Sequence, residues 1–326
     1  WNTGAVGPTK RGLADTLIRR LRTAFAPGGF LHYGQGKWYP GESLPRWAFA
    51  LYWRKDGKPI WRNPERVTRE PKATGTPNGR QPIRKVFDAT PMRILAAGVA
   101  ERLGIEPDYA MPAYEDAAHW ILQEAALPDN VDPMESKLSN PEDRARIARV
   151  FDRGLDQPAA YVLPVQRWNA ERRDGWISEY WRMRRGRLFL MPGDSAAGYR
   201  LPLSGLPHVP PATYPHVHPA DPVMPRGDLP DPAELVRQFR RTATSNEDGP
   251  RRQAQVSQES GTGAVRTAMT FELRDGVLCV FMPPVATIED YLELLAAVEE
   301  TAEENDLTVH IEGYPPPHDP RIQVIS

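Results

Sequence analysis

A chain of 326 residues whose 41 basic and 42 acidic side chains leave a net charge of −1 has no overall field to draw it to nucleic acid or to a membrane surface. The single cysteine, Cys279, excludes an internal disulfide and suits a reducing compartment, so a cytoplasmic location is expected. Hydrophobic residues at 40% are ample for a core, while 35 prolines demand long irregular connections.

No apolar run approaches the length of a membrane span, and no signal peptide opens the chain, which starts at Trp1 and reads as a fragment of something longer. The first helix is expected over 8–26, with Leu13, Leu17, Leu21 and Phe25 at four-residue steps as the inward stripe and Gly28-Gly29 as the stop. Its outer face carries Lys10, Arg11, Arg19, Arg20 and Arg22, a solvated basic face by default and an anion site as the minority alternative. A short strand at 30–33 runs out into residues 31–47, LHYGQGKWYPGESLPRW, where three glycines and two prolines argue against regular strand. There Gly34 and Gly36 let the backbone approach a ligand, Gln35 and Lys37 offer a neutral and a charged donor, and Arg46 offers a bidentate fork. The competing reading is an ordered loop in which Trp38 and Tyr39 plug a core and the charges are solvated.

Lys55-Asp56-Gly57 between the aromatic runs 48–54 and 58–61 predicts a hairpin, followed by a polar loop over 63–81. Thr90-Pro91 opens a helix with Met92, Leu95, Val99 and Leu103 on one face and Gly104 as stop. Further helices are expected over 113–127, which holds His119 as a packing residue rather than a ligand, and from Asn140-Pro141 to Gly154. Residues 159–165 form a short apolar strand, and 176–191 a hairpin whose turn falls near Arg185-Gly186. The arginines at 182, 184, 185 and 187 beside Trp176, Tyr180 and Trp181 permit base stacking, but a solvated strand face explains them as well. Pro192, Gly193, Asp194, Ser195, Gly198 and Arg200 make a second glycine-bearing polar loop.

Residues 207–263 break the pattern with prolines and then a polar tract, and divide the chain into 1–206, a linker or insertion at 207–263 with a short helix at 233–240, and 264–326. His216 and His218 are spaced for zinc without a nearby third ligand. A second Asp-Gly turn at Asp275-Gly276 joins strands at 265–271 and 277–282, which makes Cys279 a buried strand residue rather than a nucleophile. An acidic amphipathic helix over 287–304 and a strand over 307–311 lead to Glu312, placed at a strand end like a metal or substrate ligand, or as an edge carboxylate with no role.

Three stretches together are similar to one family. HYGQGKWYPGE (32–42) with RWAFALYWRKDGKPIW (46–61), RRGRLFLMPGDSAAGYRLPL (184–203), and FMPP (281–284) with IEGYPPPHDPR (311–321) resemble the amidoligase domain of bacterial transglutaminase-like proteins, over nearly the whole chain. The resemblance implies a carboxylate–amine ligase similar to glutamate–cysteine ligase and glutamine synthetase. It implies an α+β fold with an antiparallel sheet and packed helices, ATP and Mg²⁺ as cofactors, and a transglutaminase-like domain in cis. The acidic strand motifs of such ligases are expected before Trp1 and after Ser326, which would leave this domain incomplete.

The reaction so implied is phosphoryl transfer to an amino-acid or peptide carboxylate, followed by attack of an amine on the acyl phosphate. The resemblance makes Lys37, Arg46 and Arg200 the clamps on phosphate or carboxylate. It gives His32, Gln35, Glu42 and Asp194 to the substrate, and Glu312 to a metal or the amine. A non-catalytic scaffold or peptide-binding module is the competing class, and nucleic-acid binding through 182–187 the weakest.

Overall fold

A computed structural model of the chain describes residues 8–35, 47–67, 88–119, 122, 150, 153–154, 156–170, 173–181, 186–192, 199–206, 226–245, 265–274 and 276–326. Its strands in chain order are β1 (Phe30–Gln35), β2 (Trp47–Arg54), β3 (Met111–Glu115), β4 (Ala160–Pro164), β5 (Gln166–Ala170), β6 (Arg173–Ile177), β7 (Leu188–Pro192), β8 (Tyr199–Arg200), β9 (Ala268–Arg274), β10 (Val277–Met282), β11 (Val309–Gly313) and β12 (Ile322–Ile325). The principal helices are α1 (Pro8–Phe25), α2 (Thr90–Arg102), α3 (Pro232–Ser245) and α4 (Ile288–Glu304).

Ten strands form one sheet in the order β12-β2-β1-β11-β10-β9-β4-β3-β7-β8, and β5 pairs with β6 apart from it. The fold is α+β, and the sheet is mixed rather than antiparallel, because β1–β11, β10–β11 and β3–β7 run parallel. Strands β9, β10 and β11 lie between β1 and β4, so the sheet closes only when segments distant in the chain meet.

Alternation along each strand separates the two faces. Val309 and Ile311 of β11, Leu278, Val280 and Met282 of β10, and Met269 and Phe271 of β9 join the main core, beneath Met92, Leu95 and Val99 of α2 and Tyr291, Leu294, Leu295 and Val298 of α4. Burying each such aliphatic or Phe side chain contributes about 1.5–3 kcal/mol. On the opposite face α1 packs Ile18 against Leu31, Tyr33, Phe49 and Leu51, and a second apolar cluster gathers Met111, Ala113, Leu188, Leu190 and Tyr199. Between those clusters the face is polar.

Several elements match the sequence reading. Gly276 takes φ +79 in the β9–β10 turn, Gly104 takes φ +72 after α2, and Thr287 caps α4 by accepting the Asp290 N–H at 3.2 Å. Others differ. In α1 most of the expected inward stripe is turned out, with Leu13, Leu17 and Phe25 at 67%, 58% and 70% exposure; Leu21 still packs on the sheet, joined there by Ala14, Asp15 and Ile18. Residues 58–61 are not a strand, since the free edge of β2 pairs with β12 and the Ile60 N–H goes to the Gly28 carbonyl at 2.9 Å.

The helix expected over 113–127 begins only after β3, which lies between β4 and β7. The hairpin over 176–191 is replaced by two separate pairings, β6 with β5 and β7 with β3 and β8. The helix at 233–240 extends over Pro232–Ser245 and buries Leu235, Val236 and Phe239 in the main core. His216, His218, Arg182, Arg184 and Arg185 lie outside the described residues. Glu299 of α4 pins residues 62–63 to the body by accepting the Arg62 and Asn63 N–H groups at 2.5 and 2.8 Å.

Candidate active site

The polar strip on the face away from α2 and α4 is assembled by register. Cys279 of β10 stands between His310 of β11 and Glu272 of β9, and Tyr33 of β1 stands opposite Glu312 of β11. Arg274 lies two residues beyond Glu272 on the same side of β9. Its Nη2 donates to Glu312 at 2.6 Å, and its Nη1 donates to Glu312 at 3.2 Å and to Glu272 at 3.1 Å. His310 Nε2 is 3.9 Å from the Glu312 carboxylate, and its ring lies 4.5 Å from that of Tyr33. At the far end Arg153 approaches Glu115 of β3 at 3.5 Å.

His310 at 1% exposure, Glu312 at 3% and Glu115 at 4% are buried, while Glu272 and Arg274 are half-buried. Burial alone would lower the pKa of Arg274, but Glu312, Cys279 and Glu272 reverse that and hold its guanidinium well above the ordinary arginine value. The Tyr199 phenol is pushed well up, first by burial and then by Glu272, Glu115 and Glu312, with Arg274 opposing. Three carboxylates therefore share one desolvated zone with a phenol, an imidazole and a thiol.

Buried ion pairs seldom improve stability over apolar packing. Perturbed ionisable groups gathered in this way make the strip a candidate functional site. Chemically, such a strip can attract an ammonium group, hold it by charge-assisted hydrogen bonds and accept its proton.

The family model described as "Putative amidoligase enzyme (DUF2126)" matches residues 1–326. The chain belongs to this family. Comparison with curated proteins and with solved structures returns no match.

Within this amidoligase domain the site residues expected from sequence fall in different places. Glu312 sits in the middle of the strip. His32 lies on the other face of β1, against Phe30 and Tyr52, with the Gly313 and Tyr314 carbonyls beside it. The His32 pKa is lowered to about 4, by burial first and by the nearby His310 in addition, against the opposing effects of Glu312 and the two carbonyls. The room left by Gly34 is taken by that imidazole, since a Cβ there would stand 2.9 Å from His32 Cε1. Arg200 is exposed on the terminal strand β8, on the opposite side from the buried Tyr199. Gln35 ends β1, with its side chain outside the described set, and Lys37, Glu42, Arg46 and Asp194 lie outside the described residues.

The family resemblance implies Mg²⁺, but Glu312 is engaged by Arg274, and among the described residues no three His, Cys, Asp or Glu side chains converge on a metal position. Taken alone, the described residues do not make a magnesium site.

Sequence reasoning missed Glu272, Arg274, His310, Tyr199 and Glu115. The signal was present as alternation: Glu272-x-Arg274 interleaves with Phe271 and Leu273, and His310-x-Glu312 with Val309 and Ile311. Charged residues on one side of a strand whose other side is fully apolar, in the middle of a sheet, point to a polar interior rather than to solvent.

Proposed function

We propose that the domain forms an amide or peptide bond in an ATP-dependent reaction, acting on amino-acid or peptide substrates through an acyl phosphate. The observation that carries this reading is the buried carboxylate strip around Arg274, in a chain that belongs to an amidoligase family. A carboxylate oxygen attacks the γ-phosphorus of ATP and ADP leaves. The amine nitrogen then attacks the acyl carbon, phosphate leaves and the surplus proton passes to a base. Glu272 and Glu312 receive the amine as its ammonium form and take one proton from it before its nitrogen attacks, the second leaving with the phosphate, while Arg274 fixes both carboxylates.

Lys37 and Arg46 serve as the clamps on the phosphate side and Gln35, Glu42 and Asp194 orient the acid, while His32 and Arg200, which face away from the strip, take no part in it. Magnesium enters as the ion that accompanies ATP, and no step is derived through it. The same reading gives the sheet a glutamine synthetase-like role as platform, a transglutaminase-like domain as partner in cis and a cytoplasmic setting.

The test is ADP release with amino acids and peptides supplied as acid and amine. Glu272→Gln keeps the size of the side chain and leaves Arg274 its pair with Glu312, so the fold is expected to hold while turnover falls about 100-fold or more, the scale of losing one pre-set polar contact. Undiminished ADP release from that variant would move the reaction off this strip.

A further inference from the structure

The outward side of α1 carries Lys10, Leu13, Leu17, Arg20 and Ala24, all exposed and spaced by three, four, three and four residues. At 3.6 residues per turn they fall within about 80° of arc, opposite the side on which Asp15 and Ile18 meet the sheet. That spacing is the a and d pattern of a heptad, the seam that one helix presents to another. Thr16 and Thr23 beside it donate their hydroxyls to the Gly12 and Arg19 carbonyls at 2.9 and 3.1 Å, so both are tied to the helix's own backbone. Phe25, at 70% exposure, extends the apolar surface at the end of the helix.

The charge on this helix has one sign. Lys10, Arg11, Arg19, Arg20 and Arg22 stand against a single acidic residue, Asp15, which is buried and bonded to Arg19 and Tyr33. The seam therefore sets two leucines between the cations Lys10 and Arg20, with no carboxylate among them. A second copy would bring the same excess of basic charge against its own. A lipid surface suits a broad apolar face bordered by cations, whereas here the cations stand inside a narrow seam. The chain's own acidic helix, α4, is already engaged, with Tyr291, Leu294, Leu295 and Val298 in the main core.

We propose that α1 docks an acidic amphipathic helix of a partner protein, whose apolar side chains pack between Leu13 and Leu17 and whose carboxylates meet Lys10 and Arg20. Complementary charge at the edges of an apolar seam selects the partner and its register. The inference stands apart from the ligase reading, because this side of α1 faces away from the polar strip.

The experiment measures binding of a labelled synthetic helix to the full chain by fluorescence anisotropy. The probe is about three heptads long, with leucine at a and d and glutamate at e and g, and a companion peptide has glutamine in place of every glutamate. The wild type is expected to bind the glutamate peptide about tenfold or more tighter than the companion. Leu17→Ser is expected to weaken the glutamate peptide about tenfold or more, the scale of losing one buried leucine. Arg20→Glu should remove the preference for glutamate over glutamine, while Lys55→Glu, the same change of charge at an exposed turn, should leave both affinities unchanged.

Leu17 and Arg20 are exposed, so melting temperatures are expected to stay level in both variants. Absence of wild-type binding to the glutamate peptide, equal affinity for the two peptides, or binding indifferent to Leu17→Ser and Arg20→Glu overturns the proposal. So does Leu17-dependent binding to phosphatidylglycerol–phosphatidylcholine vesicles without binding to the peptide, which would assign the face to lipid. Leu17-dependent dimerisation in sedimentation would assign it to a second copy and overturn the proposal equally.

Discussion

Two histidines next to Glu312 live under different rules. His310 shares its face, whereas His32 is buried on the other side of the sheet with its pKa lowered to about 4, and among the described residues its Nε2 has no hydrogen-bond partner. In the unfolded chain the same imidazole titrates near its ordinary value of about 6.5, so the unfolded state binds the proton first. Stability is then complete above that value and is lost as pH falls from there toward about 4. The loss reaches roughly 3 kcal/mol from this residue, at 1.4 kcal/mol for each pH unit of displacement. Urea denaturation at pH 7 and pH 4.5 should show the drop in the wild type and a smaller one in His32→Phe. Equal drops in both would mean that His32 is not the group responsible.

At the scale of elements, the end of β11 is set by one glycine. Gly313 takes φ +97, and a Cβ there would stand 2.7 Å from both the nitrogen and the oxygen of Met282. Backbone cannot move aside like a flexible side chain, so Gly313→Ala is expected to lose about 2–4 kcal/mol from strain and overlap. It should also weaken turnover by shifting Glu312 next door. Chemical denaturation decides this, and a loss below about 0.5 kcal/mol, the range of an ordinary surface change, would contradict the reading.

Elements whose signals are local were legible in the sequence: α2 and α4, both with apolar faces and clear ends, and the Asp-Gly turn between β9 and β10. Elements defined by distant partners were not. Met111–Glu115 became β3 because β4 and β7 flank it, and no pattern inside its five residues announces that. The outward stripe of α1 shows the same limit, since a four-residue repeat fixes a helix but not which side the sheet will take. Glu312 could be found because it ends a strand at a proline turn; Arg274 and Glu272 were hidden because their partner lies across the sheet.

Across the whole molecule, the strip draws on β1 and β3 from the first half of the chain and on β9, β10 and β11 from its last third. The groups of the strip therefore come together only in the assembled sheet, between two apolar clusters that hold its flanks. The family places the chain among amidoligases, and the strip supplies buried carboxylates and a fixed guanidinium where an amine can be received. The measurement that tests this most directly is oxygen transfer from the acid substrate. With the substrate carboxylate labelled with ¹⁸O, an acyl phosphate passes one labelled oxygen to the released phosphate as the amide forms. The account predicts labelled phosphate from the wild type, in step with ADP, and almost none from Glu272→Gln. Unlabelled phosphate accompanying amide formation, or equal labelling by Glu272→Gln, would contradict it.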